Sequence, residues 1–391
     1  MAKHTRYDDE EVVTRPRSSS SGKTSSGKST RSKSKKKKKK KNSRTAKVAL
    51  LIAEIALLFA LLFVFYVIHT GTKVGKVSLN DEEIVAKMNT NVVENEEMKG
   101  YRNIALFGVD TRSKNNLTSN TRSDAIMVLS INQDTGDMKI VSVYRDTYLN
   151  LSNDSYNKCN AAYAKGGPEQ AINMLNMNLD LNITDFVTIG FQGLIDVVDA
   201  LGGVEIDIQE NEISYLNDYQ RSMFVSESGV GALNENIVKV THSGLQTLNG
   251  LQATAYCRIR YVGNDFGRTE RQRTVLNQIF EKSKTMSVSQ LNEIANELFD
   301  EVYTSLDLSE ILEMIGEVNK YQITAMDGFP QMNLLTTGTV GSKGSCVIPR
   351  DLSDNVVWLH QFLFEDSNYT VSAEVQEYSN RVASDTAGIS K

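Results

Sequence analysis

Histidine and cysteine are scarce in this chain, with four and three copies in 391 residues. His4, His69, His242 and His360 stand far apart, which excludes the paired-histidine helix of zinc hydrolases. Cys159, Cys257 and Cys346 are an odd number, so at least one is unpaired, and the spacing leaves any pairing open. No histidine pair accompanies them, which disfavours a metal site and favours a role as small buried apolar residues. The chain also has no glycine-rich phosphate loop and no G-x-S-x-G elbow. Ser155–Lys158 matches S-x-x-K and Ser353–Asn355 matches S-D-N, the fragments of penicillin-binding enzymes. No K-T-G or K-S-G follows Ser353, which argues against that chemistry. No internal repeat is present.

What the chain has is a strong charge asymmetry. Residues 1–47 hold 17 Lys or Arg against Asp8, Asp9, Glu10 and Glu11, a net of +13. The whole chain is −5, so the remainder carries −18. The basic part is rich in Ser and Lys and nearly free of large apolar residues, which predicts a disordered tail. No aromatic residues interleave with its lysines, so nothing supports nucleic-acid binding. Val48 to Ile68 follows, 21 residues with Glu54 as the only charge. At about 1.5 Å per residue it is long enough to cross a hydrocarbon core of roughly 30 Å. Seven lysines, Lys35 to Lys41, precede it and predict a cytoplasmic N-terminus. The span is long and lacks a small-residue cleavage site, so the expectation is an uncleaved signal anchor with all that follows outside the cell.

Beyond the anchor, 69–100 reads as a polar juxtamembrane stalk, helical around Asp81 to Met88. Asn103–Val109, Ala125–Ile131 and Met138–Val143 read as three apolar strands. A helix opens at Pro168 and runs to about Asn178. Phe186–Ile189 and Val204–Ile208 read as strands, with a helix Phe191–Leu201 between them, stopped by Gly202-Gly203. Leu248–Cys257 and Arg268–Ser283 read as helices, as do about 288–301, 308–319 and Leu352–Phe364, with a strand near Tyr321–Met326. Mixed strands and helices predict an α/β (mixed α+β) sandwich with one central sheet over 101–372, and a loose polar tail over 373–391.

Arginine and aspartate fall at the ends of these apolar runs. Asp110 and Arg112 follow the first strand, Arg122 and Asp124 precede the second, and Arg145 and Asp146 follow the third. Arg258 and Arg260 end one helix, and Asp265, Arg268, Arg271, Gln272 and Arg273 straddle the start of the next. Strand ends of such sheets share a crevice where ligands bind. Guanidinium forks match phosphate oxygens bidentately, and paired carboxylates suit Mg²⁺, which takes few protein oxygens beside phosphates and water. Surface ion pairing is the plainer reading for any one residue. Like-charged Arg258 and Arg260, two apart, favour a shared anion.

Six blocks in order are NIALFGVDTRS, RSDAIMVLSIN, KIVSVYRDTYL, CNAAYAKGG, GLQATAYCRIRY and DFGRTERQRTVL. In content and order they resemble the LytR-CpsA-Psr family, over roughly Tyr101 to Ile279. The basic tail and single anchor are similar to it too. The resemblance implies an extracytoplasmic phosphotransferase that moves a polyprenyl-pyrophosphate-linked glycopolymer, teichoic acid or capsular polysaccharide, onto the peptidoglycan of the cell wall. It implies a central sheet between helices with a long apolar pocket for lipid. It implies Mg²⁺ (or Mn²⁺) on Asp110 and Asp124. It implies pyrophosphate on Arg122, Arg145, Arg258, Arg260, Arg268 and Gln272, with catalysis centred on Arg145, Asp124 and Asp110. Asp146 is then expected to hold Arg145, and Asp265 to support Arg268 from behind. Residues after about 285 resemble the family weakly and have no assigned role. The alternatives are a membrane-anchored binder or sensor of lipid-linked wall glycans without turnover, and a transcriptional regulator acting through the short tail.

Overall fold

The computed structural model describes residues 75–76, 79, 81–93, 95–111, 117–118, 120–224 and 237–389. The basic tail, the apolar span 48–68 and Arg112 lie outside the described residues. Among the described residues, no helix is long and apolar enough to cross a membrane.

Thirteen strands are described: β1 (Gly75–Lys76), β2 (Tyr101–Val109), β3 (Ser123–Asn132), β4 (Asp137–Val143), β5 (Tyr148–Asn150), β6 (Tyr156–Lys158), β7 (Asp185–Ile189), β8 (Val204–Ile208), β9 (Gly244–Leu248), β10 (Val302–Thr304), β11 (Gln322–Phe329), β12 (Leu335–Thr339) and β13 (Ser345–Pro349). Seven form one mixed sheet in the order β1-β10-β7-β2-β3-β4-β11. β2, β3 and β4 are an antiparallel meander, and β7 and β11 flank it in parallel. Side chains alternate across a strand, so each central strand serves two faces. Ala105, Phe107 and Val109 of β2 enter one core with Ile126 and Val128 of β3 and the helices Ala161–Leu179 and Leu352–Phe364. Ile104 of β2 enters another, with Ile131, Met138 and Phe280 of the helix Asn264–Lys284. A fully buried ring such as Phe107 contributes about 1.5–3 kcal/mol by leaving water. The central sheet between helices is the expected architecture.

Several expected boundaries move. The helix expected from Pro168 begins at Ala161 and kinks at Gly166–Gly167, so Pro168 opens its second segment. The run Leu248–Cys257 divides into the end of β9 and a helix Gly250–Tyr256. The helices after Ser287 are Val288–Leu298 and Leu308–Gly316, with the unexpected strand β10 between them. The expected strand Tyr321–Met326 is β11, which runs three residues further.

Two segments expected to lie outside the domain, the stalk and the loose C-terminal tail, contribute to the fold, and the helix expected around Asp81 to Met88 is Asp81–Ala86. The stalk expected over 69–100 sends Ile84, Val92 and Met98 into the main core. The expected C-terminal tail is a helix, Ala373–Asp385, that buries Val375 and Val382. Ser372 caps its first turn by accepting from the Val375 N–H. A buried polar knot ties the two segments together. The Asn89 amide donates to Asp180 at 2.6 Å, and the Ser372 N–H and hydroxyl donate to the same carboxylate at 2.8 and 2.7 Å. His360 stacks on Tyr369 beside it, with ring centroids 3.5 Å apart. Its Nε2 lies 3.1 Å from the Leu179 carbonyl.

Burial brings the His360 pKa from 6.5 down to about 4. The unfolded chain therefore gains a proton at this histidine that the folded chain refuses. The stabilisation is complete above about pH 6.5 and is lost as the pH falls toward 4. Melts of the wild type and His360→Phe across this range are expected to differ in slope, with the wild type falling more steeply. Parallel curves would remove the assignment.

Candidate active site

The meander brings the C-terminal end of β2, the start of β3 and the end of β4 to one edge of the sheet. Asp110, Asp124 and Arg145 stand there. Asp124 is placed by an irregularity in the ladder: Gly108 pairs with Ala125 and Val109 pairs with Ser123, so Asp124 is the extra residue of a bulge. Such a bulge re-aims a side chain at a sheet end. Here it aims the carboxylate at three arginines. Arg145 Nη1 donates to Asp124 Oδ1 at 2.6 Å and Arg260 Nη2 to Oδ2 at 3.2 Å. Arg268 Nη1 lies 3.6 Å from Oδ2, and its Nη2 donates to the Asp124 backbone carbonyl at 3.1 Å. Asp265 Oδ1 lies 3.6–3.8 Å from Arg145, Arg260 and Arg268.

Arg268 is 2% exposed, so three cations share a site partly closed to water. Burial, followed by the charge of Arg145, brings its pKa from 12.5 down to about 10. Burial alone would raise the Asp124 pKa, but Arg268, Arg145 and Arg260 hold it below the ordinary carboxylate value. Burial also opposes the charge on Arg145, which Asp124 and Asp265 more than restore. Arg145 Nε and Arg268 Nε are buried N–H donors with no hydrogen-bond acceptor among the described residues. A cluster with more cations than anions and two such donors suits an anionic oxygen ligand.

Asp124, Arg260 and Arg268 of the cluster line a cavity of about 420 Å³, and Arg145 meets it through Asp124 rather than lining it. Its walls are Leu106, Met127, Val187, Ile189, Leu194, Val197, Leu276 and Ile279, and its polar rim holds Asp110, Asp124, Arg258, Arg260, Arg268 and Gln272. Gln272 stands one turn beyond Arg268 on the helix Asn264–Lys284. Arg258 lies between the rings of Phe191 and Tyr219, its Cζ 4.5 and 5.4 Å from their centroids. Asp110 and Asp124 both face this cavity. Two hard carboxylates on one rim are a donor set that fits Mg²⁺. Among the described residues, no group of three or more metal-binding side chains forms.

Two expected residues stand elsewhere. Arg122 is exposed and does not line the cavity. Asp146 does not grip Arg145; its carboxylate pairs with Lys158 at 3.2 Å. Both residues lie in the turn after β4, which ends at Val143, and the turn gives Arg145 to Asp124 and Asp146 to Lys158. Asp124 and Asp265 hold Arg145 instead. The three cysteines are buried free thiols. Cys159 supports the Arg145 turn, its Sγ 3.2 and 3.3 Å from the carbonyls of Tyr144 and Arg145.

Sequence reasoning missed the pair that orders the Arg258–Arg260 turn. Arg271 Nε donates to Glu212 Oε1 at 2.6 Å, and Arg271 Nη1 donates to the Ile259 carbonyl at 3.3 Å. Glu212 Oε2 accepts from the Gln209 N–H at 2.9 Å. The pair is buried and holds the residue between the two rim arginines. Gly267 permits the close approach, because a Cβ there would come within 2.9 Å of the Val262 carbonyl. Glu212→Ala leaves Arg271 buried without its carboxylate and is expected to cost about 3–5 kcal/mol. Urea unfolding of the variant checks this, and a loss under 1 kcal/mol would sink it.

The LytR_cpsA_psr family profile matches residues 62–341, past the point where the sequence resemblance fades. The polyisoprenyl-teichoic acid–peptidoglycan teichoic acid transferase TagV of Bacillus subtilis is 28% identical over 278 residues, 68% of this chain and 66% of that protein. TagT of the same organism is 27% identical over 276 residues, 68% of this chain and 80% of that protein. Protein gbs0355 of Streptococcus agalactiae has a crystal structure that aligns with a TM-score of 0.57 at 25% identity, covering 73% of this chain and 95% of that one.

Proposed function

This chain belongs to the LytR-CpsA-Psr family, and from that premise we propose that it is an extracytoplasmic glycopolymer–peptidoglycan phosphotransferase. Its donor is a polyprenyl-pyrophosphate-linked glycan, teichoic acid or a capsular-type polysaccharide, and its acceptor is a peptidoglycan hydroxyl. The observation that carries the reading is the apolar cavity lined by Arg260, Arg268 and Asp124, the carboxylate to which Arg145 also bonds. A lipid pyrophosphate has the same order of parts, an apolar chain followed by a compact anion.

In this proposal the prenyl chain lies along Leu106, Val187 and Ile279, and the arginines hold the pyrophosphate oxygens. The acceptor oxygen attacks the phosphorus that carries the glycan. A new P–O bond forms, the P–O bond to polyprenyl phosphate breaks, and polyprenyl phosphate leaves. The acceptor proton goes to a carboxylate. Asp124 is a weak acceptor, with both oxygens engaged by guanidinium and its pKa held low. Asp110 is the other carboxylate on the rim. Asp110 and Asp124 are the residues that would hold Mg²⁺ (or Mn²⁺), which would supply charge neutralisation at the pyrophosphate. Stabilising developing charge by fixed donors is the main source of rate in such transfers. The span 48–68 anchors the chain in the cell membrane with the tail inside and the domain outside.

Arg145→Ala is expected to lower transfer at least about 100-fold, the usual loss for one charge-stabilising donor. The measurement is phosphodiester formation by the full chain from a polyprenyl-pyrophosphate glycan and a peptidoglycan oligomer, with Mg²⁺ or with chelator. Loss of product in both the variant and the chelated wild type is the expected result. Tight lipid binding by the wild type without turnover would instead favour a non-catalytic binder.

A further inference from the structure

Outside the cavity, an aromatic stack continues from the arginine rim. The helix Ile213–Phe224 carries Tyr215 and Tyr219 four residues apart, so both project from one face. Tyr219 lines the cavity and touches Arg258. One turn back, Tyr215 stacks on Tyr261, with centroids 5.3 Å apart and planes 21° from parallel. Tyr261 directly follows Arg260, the arginine bonded to Asp124. It is 76% exposed, more than any other large apolar side chain among the described residues.

A ring this exposed adds little to the core, yet the stack fixes its orientation. A fixed, solvent-facing π-surface is preorganised for a flat apolar partner. We propose that the Tyr215–Tyr261 stack is a subsite for a pyranose ring of the lipid-linked glycan, just outside the pyrophosphate site. This rests on the proposed function above. The C–H face of a pyranose carries slight positive charge and packs on the negative face of an aromatic ring. The donor runs lipid, pyrophosphate, sugar; the protein runs apolar cavity, arginine cluster, tyrosine stack. The first sugar is covalently tied to the phosphate that the arginines hold. Tyr261 is likewise one residue, about 3.8 Å between Cα atoms, from Arg260. The stack also runs through Tyr215 to Tyr219, which lines the cavity against Arg258, and that continuity favours the donor glycan over the acceptor strand.

The test uses the full chain in detergent, with Tyr261→Ala and Tyr261→Trp. Binding is measured to polyprenyl pyrophosphate without sugar and to the same lipid bearing a disaccharide. Tyr261→Ala is expected to weaken the glycan-bearing lipid about 10-fold and leave the bare lipid unchanged, while Tyr261→Trp restores the affinity. The KM for the donor rises with it, and the KM for peptidoglycan does not. Equal affinity of wild type and Tyr261→Ala for the glycan-bearing lipid overturns the subsite. Equal weakening on both lipids also overturns it and assigns Tyr261 to holding the turn. A KM change confined to peptidoglycan gives the stack to the acceptor, against the proposal. Binding is read without turnover, so failure of the wild type to transfer would overturn the transferase reading alone.

Discussion

Asp124 is the carboxylate that three arginines share, and the site is organised around that contact. Arginines brought this close repel one another, and burial makes the repulsion stronger. One anion at their centre keeps the cluster folded while leaving it short of negative charge. The bulge in β3 supplies that anion at the right angle. The start of the helix Asn264–Lys284 supplies both Arg268 and Asp265, three residues apart on one face. An anionic ligand that enters finds cations already in place, so little reorganisation accompanies binding.

The central sheet divides its two faces between stability and function. One face is sealed by the helices Ala161–Leu179 and Leu352–Phe364, with a long series of fully buried side chains. The other is covered by the helix Asn264–Lys284 and its neighbours, and there the packing leaves the apolar cavity. Strands buried on both faces read as nearly continuous apolar runs, as β2 and β3 do. The ends of those strands are where charge can be placed without burying it wholly. Catalytic polarity therefore collects at the sheet edge, and lipid-compatible surface collects along its face.

The segments at either end of the described fold reinforce the arginine turn and the sealed face. β13 reaches the residue after the Arg145-Asp146 pair through a bridge from Val347 to Thr147, and the Val347 N–H donates to the Asp146 carbonyl at 2.9 Å. The knot around Asp180 joins Asn89 to Ser372, residues 283 apart in the chain. A contact of that separation is costly to close and is worth little until the rest of the core has formed.

What the sequence by itself determined is local. The apolar runs of β2, β3 and β4 are covalent facts, and so is the placing of Asp110, Asp124 and Arg145 at their ends, and of Arg258, Arg260 and Arg268 between the end of one helix and the start of the next. The antiparallel order of β2, β3 and β4 then sets Asp110, Asp124 and Arg145 at one end of the sheet, while the meeting of Asp124 with Arg260 and Arg268, over 130 residues away, is tertiary. Tertiary structure decided the rest. It turned Asp146 away toward Lys158, left Arg122 outside the cavity and added β10 to the sheet. It paired Glu212 with Arg271, ordered the stalk and C-terminal helix, and stacked Tyr215 on Tyr261. Each of these depends on a partner distant in sequence, and a polar residue or a short apolar segment carries no local mark of the neighbour that will bury it.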